Sequence, residues 1–451
     1  MKKLLIANRG EIALRIIRTC RERGIRTVAV HSDADADLPF VQEADDSVRI
    51  GPPPVAQSYL DMGVIIDAAL QMGADAVHPG YGLLSENADF AAKVEEAGLL
   101  FVGPSPEVIA RMGDKLTARR VMEKAGIPVV PGTPEGVRTG EEAAREAESM
   151  GYPVMLKASA GGGGIGMQVL ESEASLLKAF PSIQARAKAY FGDDTLFLEK
   201  FISRPRHVEV QVLADRKGKV VHLFERECSV QRRNQKVVEE SPSPSIEEAT
   251  RKALWEAAVT AAQAVGYTGA GTVEFLVDEQ EKFYFLEMNT RLQVEHPVTE
   301  MVTGLDLVAL QLDIAEGSDL PFDQENIQRK GHAIEFRIYA EDPVRFFPSP
   351  GKLTAFKPPI GDRIRVDAGV EEGNEVTPFY DPMIAKCIIG GDSREEALKR
   401  SREALASFRV EGIKSNLPLF EKVLAEPDFI RGRYDTSILQ RLNQRGEGMK
   451  P

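Results

Sequence analysis

Short apolar runs alternate with amphipathic stretches over residues 3–102, and this alternation limits the fold more than any other feature of the chain. Lys3 to Ala7 is followed by a turn at Asn8-Arg9-Gly10, a helical spacing of Ile12, Ile16, Ile17 and Cys20, and a second apolar run from Thr27 to Val30. A helical stretch from Tyr59 to Met72 then leads to Ala76-Val77-His78. After a Pro79-Gly80-Tyr81-Gly82 turn come a helix near Phe90 to Ala97 and the run Leu99 to Val102. Strands that are apolar throughout and separated by helices belong to a parallel sheet covered on both faces. The spacing predicts one α/β domain ending near residue 113.

From Asp114 the pattern changes. A helix to Ala125, a Gly/Pro-rich connection over 126–136 and another helix precede the apolar strand Pro153 to Lys157; a glycine-dense loop at 161–166, the strand Met167 to Leu170, a helix and the run Thr195 to Lys200 follow. This block reads as a small sheet inserted as a mobile unit. Further on, strands at Val208 to Leu213, Val220 to Glu225, Ala270 to Val277 and Phe283 to Met288 surround an Ala-rich helix, Ile246 to Val265. A Pro-, Gly- and charge-rich segment near 317–331 separates a final α+β portion, and 443–451 reads as a frayed tail.

The 451 residues suit two to four domains at about 100–200 residues each. A net charge of −13 argues against a nucleic-acid surface, which would be basic. No apolar run nears the ~18 residues of a membrane span, and Met1 to Ala7 breaks into Asn8, Arg9 and Gly10 before a signal-peptide core forms, so the expectation is a cytoplasmic protein without membrane contact. Cys20, Cys228 and Cys387 have neither disulfide nor metal-knuckle spacing and read as structural thiols.

Several segments carry chemistry. Asn8-Arg9-Gly10-Glu11, with Asp33 further on, invites a dinucleotide reading, but G-x-G-x-x-G is absent and a tight strand-to-helix turn is preferred. The run Gly161 to Gly166, interrupted only by Ile165, lies between two strands, where it is either a flexible hairpin or a phosphate clamp built from backbone N–H groups; Lys157 and Lys115 could add positive charge. The strongest local signal is Gly271-Thr-Val-Glu274-Phe-Leu-Val-Asp278 followed by Phe283-Tyr-Phe-Leu-Glu287-Met-Asn289. If Glu279 to Lys282 close this hairpin, Glu274 faces Glu287 with Cβ atoms about 5 Å apart, which is unfavourable unless a divalent cation neutralises the pair. Asn289, two residues beyond Glu287, adds a third hard oxygen suited to Mg²⁺. The same alternation puts Leu276 and Phe285 on that face, which is therefore at least half buried.

In Arg291-Leu-Gln-Val-Glu-His-Pro297, alternation points Arg291, Gln293 and Glu295 one way in an extended segment leading to Pro297. The three form either an oxyanion pocket with a neighbouring base or a surface salt bridge. Taken alone, Gln231-Arg-Arg-Asn234-Gln235-Lys236 reads as a solvated loop and His207 as a structural residue. Arg337, alternating with apolar neighbours, is either a strand residue aimed into a site or a structural charge.

Together and in order, Ile6-Ala-Asn-Arg-Gly-Glu-Ile12, His78-Pro-Gly-Tyr-Gly-Leu-Leu-Ser-Glu-Asn87, Gly113-Asp-Lys115, Lys157-Ala-Ser-Ala-Gly-Gly-Gly-Gly164, Arg206-His-Val-Glu-Val-Gln211, Glu274 with Glu287-Met-Asn-Thr-Arg-Leu-Gln-Val-Glu-His-Pro297, and Phe336-Arg-Ile-Tyr-Ala-Glu-Asp-Pro343 resemble the biotin carboxylase family of ATP-grasp enzymes. The likeness runs from Lys2 to about Leu442. It implies an α/β and α+β architecture: a Rossmann-like N-terminal (pre-ATP-grasp) domain over 1–113 and an ATP-grasp domain over 114–330 with a glycine-rich lid at about 131–203. An α+β C-terminal domain over 331–442 and a flexible tail over 443–451 would follow.

By the same resemblance, Lys115, Lys157, His207 and Gln231 would bind ATP phosphates under the lid glycines Gly162, Gly163, Gly164 and Gly166. Glu199, Lys200 and Ile202 would hold the adenine, and Asn234 and Leu276 would line the nucleotide site. Glu274, Glu287 and Asn289 would ligate Mg²⁺ or Mn²⁺. Lys236, Arg291, Gln293 and Val294 would hold bicarbonate, Glu295 would deprotonate it, and Arg337 would stabilise the biotin enolate. The implied activity is ATP- and bicarbonate-dependent carboxylation of biotin through carboxyphosphate, the first half-reaction of an acetyl-CoA or acyl-CoA carboxylase. Another ATP-grasp carboxylase or ligase, or a nucleotide-sensing non-catalytic subunit, is the alternative. The chain lacks an Ala-Met-Lys-Met-type biotinylation segment, so the implied partners are a separate biotin carboxyl carrier protein, carboxyltransferase subunits and a second copy in a homodimer. Two positions depart from the family pattern: Ile165 where arginine is usual, and Asn234 where histidine is usual. Retained activity with altered nucleotide affinity is the expectation.

Overall fold

The structure is a computed structural model and describes residues 1–160 and 167–447. Gly162, Gly163, Gly164, Ile165 and Gly166 therefore lie outside the described residues, as does the chain after 447.

The N-terminal apolar runs form the expected parallel sheet. Strands β1 (Lys3–Ile6), β2 (Arg26–Ser32), β3 (Asp46–Gly51), β4 (Ala76–His78) and β5 (Leu100–Phe101) lie in the order β3-β2-β1-β4-β5. Leu4, Leu5, Ile6, Val28, Ala29 and Val30 are fully buried, as strands covered on both faces must be. β3 is the strand that hydropathy does not mark. It sits at the sheet edge and alternates exposed with part-exposed residues, so polar side chains such as Asp46 and Arg49 are tolerated.

A small antiparallel sheet follows, with β6 (Val154–Ala158) between β7 (Met167–Leu170) and β8 (Leu196–Lys200). Helices Gly140–Met150 and Glu173–Phe191 cover it through Ala143, Ala147, Leu176, Phe180 and Ile183.

The site is carried by an eight-stranded sheet in which every neighbour is antiparallel. It comprises β9 (Arg206–Ala214), β10 (Val220–Arg232), β11 (Gln235–Ser241), β12 (Gly269–Val277), β13 (Phe283–Asn289) and β14 (His332–Tyr339). The later strands are β15 (Gly351–Lys352), β16 (Ala355–Lys357), β17 (Ile364–Ala368), β18 (Glu375–Val376), β19 (Met383–Gly391) and β20 (Arg409–Glu411). Of these, β17 and β19 join the large sheet, in the order β13-β12-β9-β10-β11-β14-β19-β17. The linker near 317–331 thus interrupts the chain but not the sheet, because β14 returns to hydrogen-bond β11. Val208, Val210, Val212, Val273 and Phe275 bury one face of the sheet against helix Glu248–Val265, leaving the opposite face to polar residues at alternate positions.

Three local expectations are corrected. Glu274 pairs with Glu287 as the hairpin arithmetic required, but Phe275 pairs with Phe285, so Leu286 is an extra residue in a bulge. A one-residue slip exchanges the faces of a strand. Phe285 therefore joins Phe275 in the apolar cluster, although it still lines the cavity together with Leu276. The segment up to Pro297 is not extended, since Val294 and Glu295 turn and helix His296–Thr303 starts beside them. Pro297 is tolerated there because the first helical turn needs no N–H donor. Finally, helix Ile438–Glu447 carries on past residue 442, anchored by buried Ile438 and Leu439, where a frayed tail was expected.

One buried network gives a pH signature. Glu240 accepts from Arg394 Nε at 2.7 Å, Arg394 Nη2 at 2.9 Å and Tyr434 OH at 2.5 Å, and meets His332 Nε2 at 2.5 Å. Burial pushes its carboxyl up, but Arg394 and His332 outweigh this and hold it at about 2 against 4.5. A group depressed on folding adds stability above its unfolded pKa and loses it as pH falls through the folded one. Glu240→Gln is therefore expected to be less stable than the parent near neutrality, yet to lose less than the parent between about pH 5 and pH 2 in thermal melts. Parallel pH profiles would contradict this.

Candidate active site

A cavity of about 650 Å³ opens between the small sheet and the polar face of the large one. Every described candidate from the sequence lines it. Lys115, Lys157, Glu199, Lys200 and Ile202 stand on the small-sheet side, and His207, Gln231, Asn234, Lys236, Glu274, Leu276, Glu287 and Asn289 come from the large sheet. Arg291, Gln293, Val294 and Glu295 line it from the turn after β13, and Arg337 from β14.

Period-two alternation explains the convergence. On β9, His207, Glu209 and Gln211 share a face; Glu209 is directly opposite Glu274 on one side and Arg226 on the other. The basic run at 231–236 is a hairpin rather than a solvated loop. Arg232 pairs with Gln235 across a turn in which Arg233 and Asn234 have φ of 50° and 66°. Positive φ at both central positions is the I′ geometry that suits a tight hairpin, and asparagine tolerates it well. The asparagine that departs from the family pattern thus fits its turn. The hairpin directs Lys236 inward.

Lys236 is the centre of the charge arrangement. Its Nζ donates to Glu209 Oε2 at 2.5 Å, Glu274 Oε1 at 2.8 Å and Glu295 Oε1 at 2.7 Å. Burial disfavours its charged form, yet the three carboxylates raise its pKa well above the ordinary lysine value. Glu209 and Arg226, which joins it at 2.5 Å, are participants the sequence reading missed. The alternation around His207 was the signal that could have found Glu209.

Glu274 is crowded. Besides Lys236, it meets His207 Nε2 at 2.7 Å and accepts from Asn289 Nδ2 and Gln293 Nε2, each at 2.8 Å. The Gln231 side-chain amide lies 2.6 Å from His207 Nδ1, the ring nitrogen that does not face Glu274. Burial pushes the Glu274 carboxyl up, but Lys236 and His207 hold it well below the ordinary range. Glu287 behaves oppositely: enclosure and then the facing Glu274 raise it, with Lys115 offsetting only part. A carboxyl raised by a directly opposed carboxylate fits a cation site, and the donor set of two carboxylates and an amide oxygen suits Mg²⁺ or Mn²⁺. Asn289 Oδ1 accepts from Arg291 Nη2 at 2.8 Å, and its second lone pair is the one that could serve a cation.

The remaining residues bracket Glu295. Its second oxygen accepts from Arg337 Nη2 at 3.0 Å, while Arg291 is anchored by Glu86 at 2.8 Å. The backbone of the turn is held from below, where Lys386 Nζ donates to the Val294 carbonyl at 2.7 Å and His296 Nδ1 meets the Gln293 carbonyl at 2.8 Å. Burial raises the Glu295 carboxyl, and Lys236 and Arg337 reverse this, keeping it ionised far below its usual pKa. On the small-sheet side, Lys157 pairs with Glu199, which Arg119 also meets at 3.3 Å, and Lys200 Nζ donates to the Gly151 carbonyl at 2.6 Å.

An antiparallel sheet that presents paired acids and a lysine to a cavity, roofed by a small antiparallel sheet with its own helices, defines an ATP-grasp enzyme. Three family models match in succession: "Biotin carboxylase, N-terminal domain" over 1–109, "Carbamoyl-phosphate synthase L chain, ATP binding domain" over 114–323 and "Biotin carboxylase C-terminal domain" over 335–441. The chain is 57% identical to the biotin carboxylase of Halalkalibacterium halodurans over 97% of both chains. It matches the biotin carboxylase of Campylobacter jejuni, solved as a beta-gamma-ATP complex, with a TM-score of 0.96 and 47% identity over 98% of each chain. The biotin carboxylase domain dimer of Hydrogenobacter thermophilus 2-oxoglutarate carboxylase, solved with MgADP, ADP and bicarbonate, gives a TM-score of 0.95 at 46% identity, covering 98% of this chain and 97% of that one. The chain belongs to the biotin carboxylase family and is an ATP-dependent ligase that carboxylates biotin. Among the described residues no helix is long and apolar enough to cross a membrane.

Proposed function

We propose that the chain supplies the biotin carboxylase activity of a cytoplasmic multi-subunit carboxylase, working as a homodimer. It would act on biotin borne by a separate biotin carboxyl carrier protein and pass the carboxyl group to carboxyltransferase subunits. The observation that carries this reading is Glu295, an ionised carboxylate held between Lys236 and Arg337 at the cavity wall.

Glu274, Glu287 and Asn289 would hold a Mg²⁺ or Mn²⁺ ion, which when bound neutralises triphosphate charge. Lys115, Lys157, His207 and Gln231 face the polyphosphate, with Asn234 and Leu276 along its path, and the chain at Glu199, Lys200 and Ile202 takes the adenine. Lys236, Arg291, Gln293 and the Val294 backbone receive bicarbonate. In the ligand-free form Glu295 is too strongly stabilised by its cations to be an effective base. An anion arriving between Lys236 and Arg291 shares Lys236 with Glu295, raises the basicity of that carboxylate and so turns it into the proton acceptor for that same anion. Arg337 then stands where it can stabilise the developing enolate oxygen of biotin. A non-catalytic nucleotide sensor would have no use for this arrangement.

The test is ADP release. It should require bicarbonate, rise with free biotin or a biotinylated carrier, and stop when EDTA removes the divalent metal. Stimulation by an amine substrate instead of biotin, or by neither, would overturn the reading.

A further inference from the structure

Behind the cavity wall lies a pair of acids that the proposed chemistry does not use. Glu239 on β11 and Glu335 on β14 are directly opposed in the ladder and fully buried. No carboxylate oxygen of either residue makes a hydrogen bond among the described residues, and what separates the two is an ion pair. Glu239 forms an ion pair with the Arg337 guanidinium, whose Nη2 is the same nitrogen that serves Glu295. Around the pair stand Arg337, Lys236, Lys386 and Glu295, the charges that set its ionisation.

Two facing buried carboxyls do not both carry charge, because the second ionisation would be paid against the first in a medium of low dielectric. Burial, with Glu239 opposite, raises Glu335 well above the ordinary carboxyl range in spite of Lys386. Glu239, pushed up by burial to about 7, is the member that touches a guanidinium and so the one favoured to ionise. The pair therefore contributes about one negative charge, and the contact with Arg337 places it on Glu239.

We propose that Glu239 is a positioning residue that retains the Arg337 guanidinium at the cavity wall when Glu295 takes up a proton, with Glu335 as its neutral partner. This rests on the reading of Glu295 as the proton acceptor. In the resting arrangement Arg337 is shared between two carboxylates. Transfer of the bicarbonate proton to Glu295 removes one of them at the stage when Arg337 is needed for biotin. The charge on Glu239 then holds the guanidinium in place, and an uncharged side chain there leaves it with no remaining counter-ion in this pocket.

The readout is the amount of carboxybiotin formed per ADP released, a ratio independent of how much enzyme is folded. Glu239→Gln, which keeps size but not charge, is expected to lower this ratio about tenfold. Glu239→Asp should recover part of the loss by restoring the charge. Glu335→Gln, an isostere of the neutral acid, should leave the ratio unchanged. A ratio unchanged in Glu239→Gln, with ADP release and carboxybiotin falling together, would mean that Glu239 is structural only. An aspartate no better than glutamine, or a fall in Glu335→Gln equal to that in Glu239→Gln, would also overturn the proposal. Glu295→Gln is the reference: if it retains bicarbonate-dependent ADP release, the reading of Glu295 fails. If it loses that activity while Glu239→Gln keeps its ratio, only the present inference fails.

Discussion

Lys236→Met is expected to abolish biotin-dependent turnover and to destabilise the fold at once. One ammonium contacts Glu209, Glu274 and Glu295 within 2.8 Å, so its removal leaves three clustered buried carboxylates short of the one cation they share. Removing one partner of a buried ion pair costs about 3–5 kcal/mol, and although Arg226, His207 and Arg337 stay paired with Glu209, Glu274 and Glu295 one to one, the mutual repulsion of the three acids is no longer offset by a shared ammonium. Some of that cost will be relieved by proton uptake, so the loss of stability should shrink as pH falls towards the carboxyl range. Denaturant unfolding at two pH values reads the stability. ADP release reads the activity, which should fall by about a thousandfold, since the same ammonium is proposed to hold bicarbonate. A variant with near-parental stability and turnover would show that Lys236 is peripheral.

The second large effect is Glu295→Gln. An amide keeps the shape and a hydrogen-bonding oxygen but accepts no proton, and positioned general bases contribute about 10²–10⁴ in rate. Bicarbonate-dependent ADP release should therefore fall by about 10³, while Mg²⁺-ADP affinity changes little because Glu295 touches Lys236 and Arg337 rather than the paired acids Glu274 and Glu287. A loss of less than about tenfold would assign the base elsewhere.

What the sequence revealed follows the range of the interactions involved. The β12–β13 hairpin is local, so counting residues placed Glu274 opposite Glu287 correctly, and the count failed only beyond the bulge at Leu286. Arg291, Gln293 and Glu295 do face one cavity, although a turn and a helix start, rather than an extended strand, bring them there. The union of β11 with β14 was invisible because strand pairing across a long connection leaves no local mark. Glu209 and Glu239 were obscure for a related reason, and Lys236, a solvated-loop residue on pattern alone, was reached only through the family resemblance. Charge on a strand usually marks a solvated face, and only the three-dimensional meeting of β9, β11 and the 291–295 turn shows that these charges neutralise one another.

The most direct measurement is an anomalous-diffraction map of crystals soaked with Mn²⁺ and a non-hydrolysable ATP analogue. The account predicts a metal peak at the carboxylates of Glu274 and Glu287, accompanied by density for the nucleotide phosphates in the same cavity. A peak away from these two side chains, or nucleotide bound with the pair still bare, would contradict it.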